Sequence, residues 1–190
     1  MILAYLWILL LLNGPDRTPS DLENRRMLDA VNQLRNQGCY CGRKYMPAAE
    51  PLTWNDTLYL SAMNHAIEMH DFDFFAHYSK DGKNIGERLD AFEYPWQYAG
   101  ENLGEGQTSF EEVLHDWLQS RSHCRMLMNP NMTEMAVARY KNIWVQHFGT
   151  KLPKGAVPLR SGWITKTVNN DAKAKIALSC PTANLSLVAA

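Results

Sequence analysis

Apolar positions recur at helical spacing in three stretches of the chain. In the first, Ser20-Asp21-Leu22-Glu23 reads as a capping box. Met27, Val31 and Leu34 follow on one stripe, and Gly38 closes the segment. In the second, Asn55 can cap a helix whose apolar face carries Leu58, Ala62, His65, Ala66 and Met69. His65 on that face reads as a core histidine hydrogen-bonded to backbone rather than a ligand. In the third, Thr108-Ser109 with Glu111 and Glu112 gives overlapping capping boxes ahead of the stripe Val113, Leu114, Trp117. Ile85 to Phe92 predicts a shorter helix. The period then changes to two. Met135, Val137 and Arg139 alternate with small or polar residues, and Ile143, Val145 and His147 do so again around a turn at Lys141-Asn142, which predicts a β-hairpin. Residues 42–54, with Pro47 and Pro51, read as a loop, with Leu52 and Trp54 covering the core edge. Gly100-Glu101-Asn102 reads as a turn, Asp81-Gly82 as another, and Phe72, Phe74 and Phe75 as a buried aromatic cluster. Trp163 to Val168 offers one edge strand in a C-terminal part with little periodicity. Helices followed by a hairpin and one further strand indicate an α+β domain.

The 190 residues suit a single domain with some extra tail, and 46% hydrophobic with 21% charged residues marks a globular chain. A net charge of -1 provides no field to hold a polyanion, which argues against nucleic acid and against bulk attraction to anionic membranes. The apolar run Ile2 to Leu12 is too short to span a bilayer and fits the h-region of a secretory signal, so residues 1–19 are expected to be a leader. The domain is expected over residues 20–150, with residues 151–190 as an extension. Cys39, Cys41, Cys124 and Cys180 can pair in three ways, but Cys39 and Cys41 stand too close to bond to each other without strain. Two long-range bridges suit an oxidising compartment, so a secreted or periplasmic protein is expected. A C-x-C pair with two distant cysteines is not a usual zinc spacing.

An ordered set of short motifs now resembles a known family. The set comprises His65 to Met69, Phe75-Ala76-His77, Asp81-Gly82, Arg88 and Gly100-Glu101-Asn102-Leu103-Gly104. It continues with Trp117, Ser120-Arg121-Ser122-His123, Asn129-Pro130 and Trp144-Val145-Gln146-His147-Phe148-Gly149. In order and spacing it resembles the CAP superfamily (cysteine-rich secretory proteins, antigen 5, pathogenesis-related 1; the SCP domain), and its bacterial branch most closely. The resemblance implies a three-layer α-β-α sandwich with a central, mainly antiparallel sheet. It also implies that His77, Glu101 and His123 line a polar cavity. Some family members carry a bridge that corresponds to Cys41–Cys124, which leaves Cys39 with Cys180 and pins the tail. Two departures stand out. Ser-Arg-Ser-His replaces the family's Ser-Pro-Gly-His, and Ser120 stands where eukaryotic relatives carry a second cavity glutamate, so their full His-Glu-Glu-His tetrad is not present.

Two imidazoles and one carboxylate can bind a divalent metal such as zinc and leave coordination positions open. The same three residues could serve a metal-dependent hydrolase, with Glu101 holding a histidine that moves a proton. They could also form a structural polar network, with function in surface contacts such as the aromatic loop Phe92 to Tyr98. Ser122-His123 lacks a third member and an oxyanion loop, and no H-E-x-x-H occurs. The expectation is therefore a monomeric secreted binding module without a transmembrane segment. Its cavity would take a metal or a ligand such as a lipid, a wall fragment or a partner protein, with Met126, Met128 and Met132 in the core or lining a groove.

Overall fold

The structure, a computed structural model, describes residues 19–156. The expected leader, the edge strand at Trp163 to Val168 and the Cys39–Cys180 bridge therefore lie outside the described residues or depend on one that does. In chain order the elements are α1 (Pro19–Gln37), β1 (Cys39–Cys41), β2 (Lys44–Met46), β3 (Thr53–Trp54), α2 (Asp56–Asp71) and α3 (Ile85–Ala91). β4 (Trp96–Glu105), α4 (Phe110–Gln119), α5 (Arg121–Leu127), β5 (Glu134–Tyr140) and β6 (Ile143–Lys151) follow.

The capping residues act as their chemistry requires. The Asn55 side chain accepts from the Leu58 N–H, and Ser109 accepts from Glu112. Asn84 and Glu87 form a reciprocal capping box at α3. The hairpin β5–β6 turns at Lys141-Asn142, where Lys141 takes φ 55°.

The main sheet has the order β3-β5-β6-β4. It is antiparallel throughout except for the short β3–β5 pairing, so β4 is an edge strand. Alternation sends successive residues to opposite faces. Met135, Val137, Trp144 and Phe148 pack against α1, α4 and α5 in one core. Ala138, Ile143, Val145 and Leu103 pack against Ala62, Ala66 and Met69 of α2 in the other. The result is helices on both faces of a mostly antiparallel sheet, the expected α-β-α sandwich.

Three local expectations are corrected. Gly100-Glu101-Asn102 is not a turn; it lies within the ten-residue β4, paired along its length with β6. Its glycines serve close approach. A Cβ on Gly100 would run into the Met126 side chain of α5, and one on Gly104 into Val113 of α4. The stretch read as a loop contains the hairpin β1–β2. Phe72 and Phe75 are not buried; they are 55% and 45% exposed.

A disulfide joins Cys41 to Cys124 across a sequence separation of 83, as the resemblance implied. It ties β1 to α5, and closing so long a loop contributes about 4–5 kcal/mol in the chain-entropy account. The Cys39 Sγ lies 3.9 Å from that of Cys124.

Candidate functional site

Glu101 and Asn102 are neighbours on an edge strand, so their side chains leave opposite faces of the sheet. Each grips a histidine-bearing segment. On the α2 face, Glu101 Oε1 accepts from His77 Nδ1 at 2.7 Å. On the other face, Asn102 Nδ2 donates to the His123 carbonyl at 3.4 Å and to Gln146 Oε1 at 3.0 Å. His77 and His123 are thus held from the two sides of one strand edge. The His77 side chain is 47% exposed and His123 is half-buried.

The loop carrying His77 is anchored from beneath. Arg88 Nη1 donates to the His77 carbonyl at 2.9 Å and to the Lys83 carbonyl at 3.1 Å. The buried His65 reaches the Ala76 carbonyl from Nε2 at 3.0 Å, so its core reading holds. Its Nε2 also stands 3.9 Å from Glu101 Oε2.

The Glu101 side chain is almost wholly buried, and both of its oxygens are engaged. Oε2 accepts from Arg88 Nη2 at 2.5 Å and from His147 Nε2 at 2.9 Å. Burial alone would raise this carboxyl. Hydrogen bonds from His147 and His77, with the Arg88 charge, outweigh burial and hold it well below the usual carboxylate range. A carboxylate only accepts, so the facing nitrogen of each histidine carries the hydrogen. His77 therefore donates from Nδ1, and the Glu101 contact makes no use of its Nε2. Burial, then the nearby His77, lowers the His123 imidazole to about 4, so it is neutral around pH 7.

Arg88 and His147 escaped the sequence reading as site residues. Arg88 matched a family position but received no role. His147 was counted in a strand alternation and in the Trp144 to Gly149 motif but likewise received no role. The available signal was a polar residue at an inward position between apolar ones, opposite Glu101 in register. Among the described residues, just one group of three His, Cys, Asp or Glu brings its donor atoms within 4.8 Å of one another. It is Cys39, Cys41 and Cys124, of which Cys41 and Cys124 are bonded together. His77, Glu101 and His123 do not close into such a trio. Ser122 Oγ pairs with Ser120 Oγ at 3.1 Å.

An α-β-α sandwich with helices on both faces of a mostly antiparallel sheet is the fold of SCP domains. A family model described as "Cysteine-rich secretory protein family" matches residues 28–148, and the chain belongs to that family. It is 33% identical over 101 residues to the uncharacterised protein YkwD of Bacillus subtilis, covering 52% of this chain and 39% of that one. It is 27% identical over 97 residues to the uncharacterised membrane protein YlbC of the same organism, covering 51% and 28%. The chain therefore spans well under half the length of these relatives. Among solved structures, an extracellular SCP-domain protein of Bacillus anthracis superposes with a TM-score of 0.60 at 26% identity, covering 73% of this chain and 45% of that one. An outer surface protein of Borrelia burgdorferi superposes with a TM-score of 0.60 at 22% identity, covering 72% and 96%, which shows the fold alone. No helix among the described residues is long and apolar enough to cross a membrane.

Proposed function

We propose that this protein is a secreted binding module whose cleft takes a divalent metal, zinc in the first instance, through His77 Nε2 and the His123 imidazole. The observation that carries this is the His77–Glu101 hydrogen bond of 2.7 Å, which ties up Nδ1 and leaves Nε2 as the nitrogen available to a metal on a partly exposed ring. A histidine whose second nitrogen donates to a carboxylate is the usual arrangement behind a metal ligand. The donor chemistry fits. The His123 imidazole is neutral near pH 7, and neutral imidazole is the ligating form. Glu101 fits less well as a third ligand, because its two oxygens already accept from His77, Arg88 and His147. Its role in this reading is to orient His77. Two protein ligands leave room for an incoming donor from a ligand or partner, which suits binding.

The hydrolase reading gains little. The carboxylate that would act as a base is held ionised but fully engaged, and Ser120 occupies the place of a second glutamate. The extracellular neighbour of Bacillus anthracis, the long-range disulfide and the apolar N-terminal run support export.

Titration of the purified protein with Zn2+ under a competing chelator tests the metal site. One equivalent is expected to bind, and His77→Ala and His123→Ala should each weaken it at least about tenfold. Unchanged affinity in both variants would remove the proposal.

A further inference from the structure

We propose that His147 is a positioning residue: through Glu101 it holds His77 in the tautomer that leaves Nε2 bare toward the cleft. The inference rests on the metal reading only for its binding consequence; the tautomer itself is a property of the metal-free protein.

His147 is fully buried, and its one hydrogen bond runs from Nε2 to Glu101 Oε2 at 2.9 Å. Among the described residues its Nδ1 has no partner. Apart from Glu101, its register partner on β4, its neighbours on that face of the sheet are apolar: Val145 on its own strand and Ala136 opposite. A leucine or methionine would fill such a position without stranding a polar atom. A buried imidazole with one nitrogen unpartnered needs a reason, and its single contact supplies one.

A second unpartnered atom completes the argument. Arg88 donates to Glu101 Oε2 from Nη2 alone, and its buried Nε has no partner among the described residues. An arginine facing a carboxylate ordinarily takes both oxygens through a fork of two N–H groups, and Nε with Nη2 is one such fork. Rotation of the carboxylate would bring Oε1 to Nε and satisfy Arg88, but Oε1 would then leave His77. The His147 N–H prevents this by giving Oε2 a second donor from another direction. The carboxylate stays monodentate toward Arg88, and Oε1 stays with His77 Nδ1 at 2.7 Å. His65, whose Nε2 is 3.9 Å from Oε2 and already donates to the Ala76 carbonyl, does not replace that donor. The orphaned atoms of His147 and Arg88 thus have one common cause.

The test reads the tautomer directly. Long-range 1H–15N correlation spectra of histidine-labelled, metal-free protein should show His77 protonated at Nδ1 and bare at Nε2. In His147→Leu, or in His147→Met as a second apolar variant, His77 should shift toward the Nε2–H form. His147→Gln restores an N–H at the place of Nε2 and should restore the wild-type tautomer. Zn2+ affinity should fall at least about tenfold in the apolar variants and stay near wild type in His147→Gln. A folded apolar variant whose His77 tautomer matches wild type overturns the proposal. So does a folded His147→Gln protein with His77 in the other tautomer, even if neither apolar variant folds. Wild-type protein that shows the expected tautomers and binds no Zn2+ would instead overturn the metal reading and leave the positioning role standing.

Discussion

Two arginines are buried in this domain, and they are satisfied in opposite ways. Arg35 of α1 is wholly buried and donates only to backbone carbonyls: Glu50 at 2.8 Å, Leu127 at 2.7 Å, Asn129 at 3.0 Å and Met132 at 3.3 Å. Burial pulls its guanidinium down to about 10, with the Glu50 charge opposing. Arg88 of α3 also grips carbonyls, but its other end meets the Glu101 carboxylate at 2.5 Å. The first arrangement sews α1 to the end of α5 and the segment after it, and stops there. The second buries a pair of charges, and the acid of that pair reaches out to an exposed histidine. Carbonyls absorb a cation without passing anything on. A carboxylate has a second oxygen, and here that oxygen meets His77 Nδ1.

The largest effects should separate the two knots. Arg88→Met leaves Glu101 as a buried charge without its counterion and should destabilise the fold by about 3–5 kcal/mol. Arg35→Met strands carbonyls but no opposite charge, so its loss in urea denaturation should be smaller, about 2–3 kcal/mol. The double variant Arg88→Met/Glu101→Leu should be more stable than Arg88→Met alone, because both charges are gone, and should still lose Zn2+ affinity. A larger loss in Arg35→Met than in Arg88→Met would break the comparison.

A smaller effect lies in the pH dependence. His123 binds a proton near 6.5 when unfolded but only at about 4 when native. Across that window the unfolded chain holds more protons, so stability should fall as the pH drops. Burial lowers His147 and His65 too, which adds loss in the same direction. The depressed carboxyl of Glu101 contributes stability above the ordinary carboxylate range, which is lost as the pH falls through its native value. Melting temperatures should therefore be level from about pH 8 to 7 and decline below about 6.5. His123→Ala should flatten the upper part of that decline, whereas Arg35→Met should lower the whole curve and leave its shape unchanged.

The smallest effect concerns a residue that touches neither knot. Phe75 is 45% exposed, so Phe75→Ser should change stability by no more than about 0.5 kcal/mol in the same denaturation experiment. A loss of several kcal/mol would restore the buried-cluster reading of Phe72 to Phe75.

The helices were legible because their signals are local. Asn55 and Ser109 cap the residues that follow them, and the stripes Leu58 to Met69 and Val113 to Trp117 become the buried faces of α2 and α4. The hairpin was legible for the same reason, since period two and a turn at Lys141-Asn142 need no distant partner. β4 was not. Gly100, Glu101, Asn102 and Gly104 carry weak strand preference, and only pairing with β6 and close contact with α4 and α5 make them a strand. The site was legible in part. His77, Glu101 and His123 stood out through motif resemblance, while Arg88 and His147 needed the register that sets His147 opposite Glu101.

The sequence by itself determined the family, the main helices and hairpin, and the chemistry available to the candidate site. Caps, stripes and motifs act over a few residues, where order along the chain and order in space coincide. The tertiary structure decided how that chemistry is arranged. It made Glu101 an internal acceptor, engaged on both oxygens, and it gave Arg88 one oxygen of that acid and His77 the other. Those choices depend on burial and on partners far apart in the chain: His147 lies 46 residues from Glu101, and their hydrogen bond exists only because β6 pairs with β4.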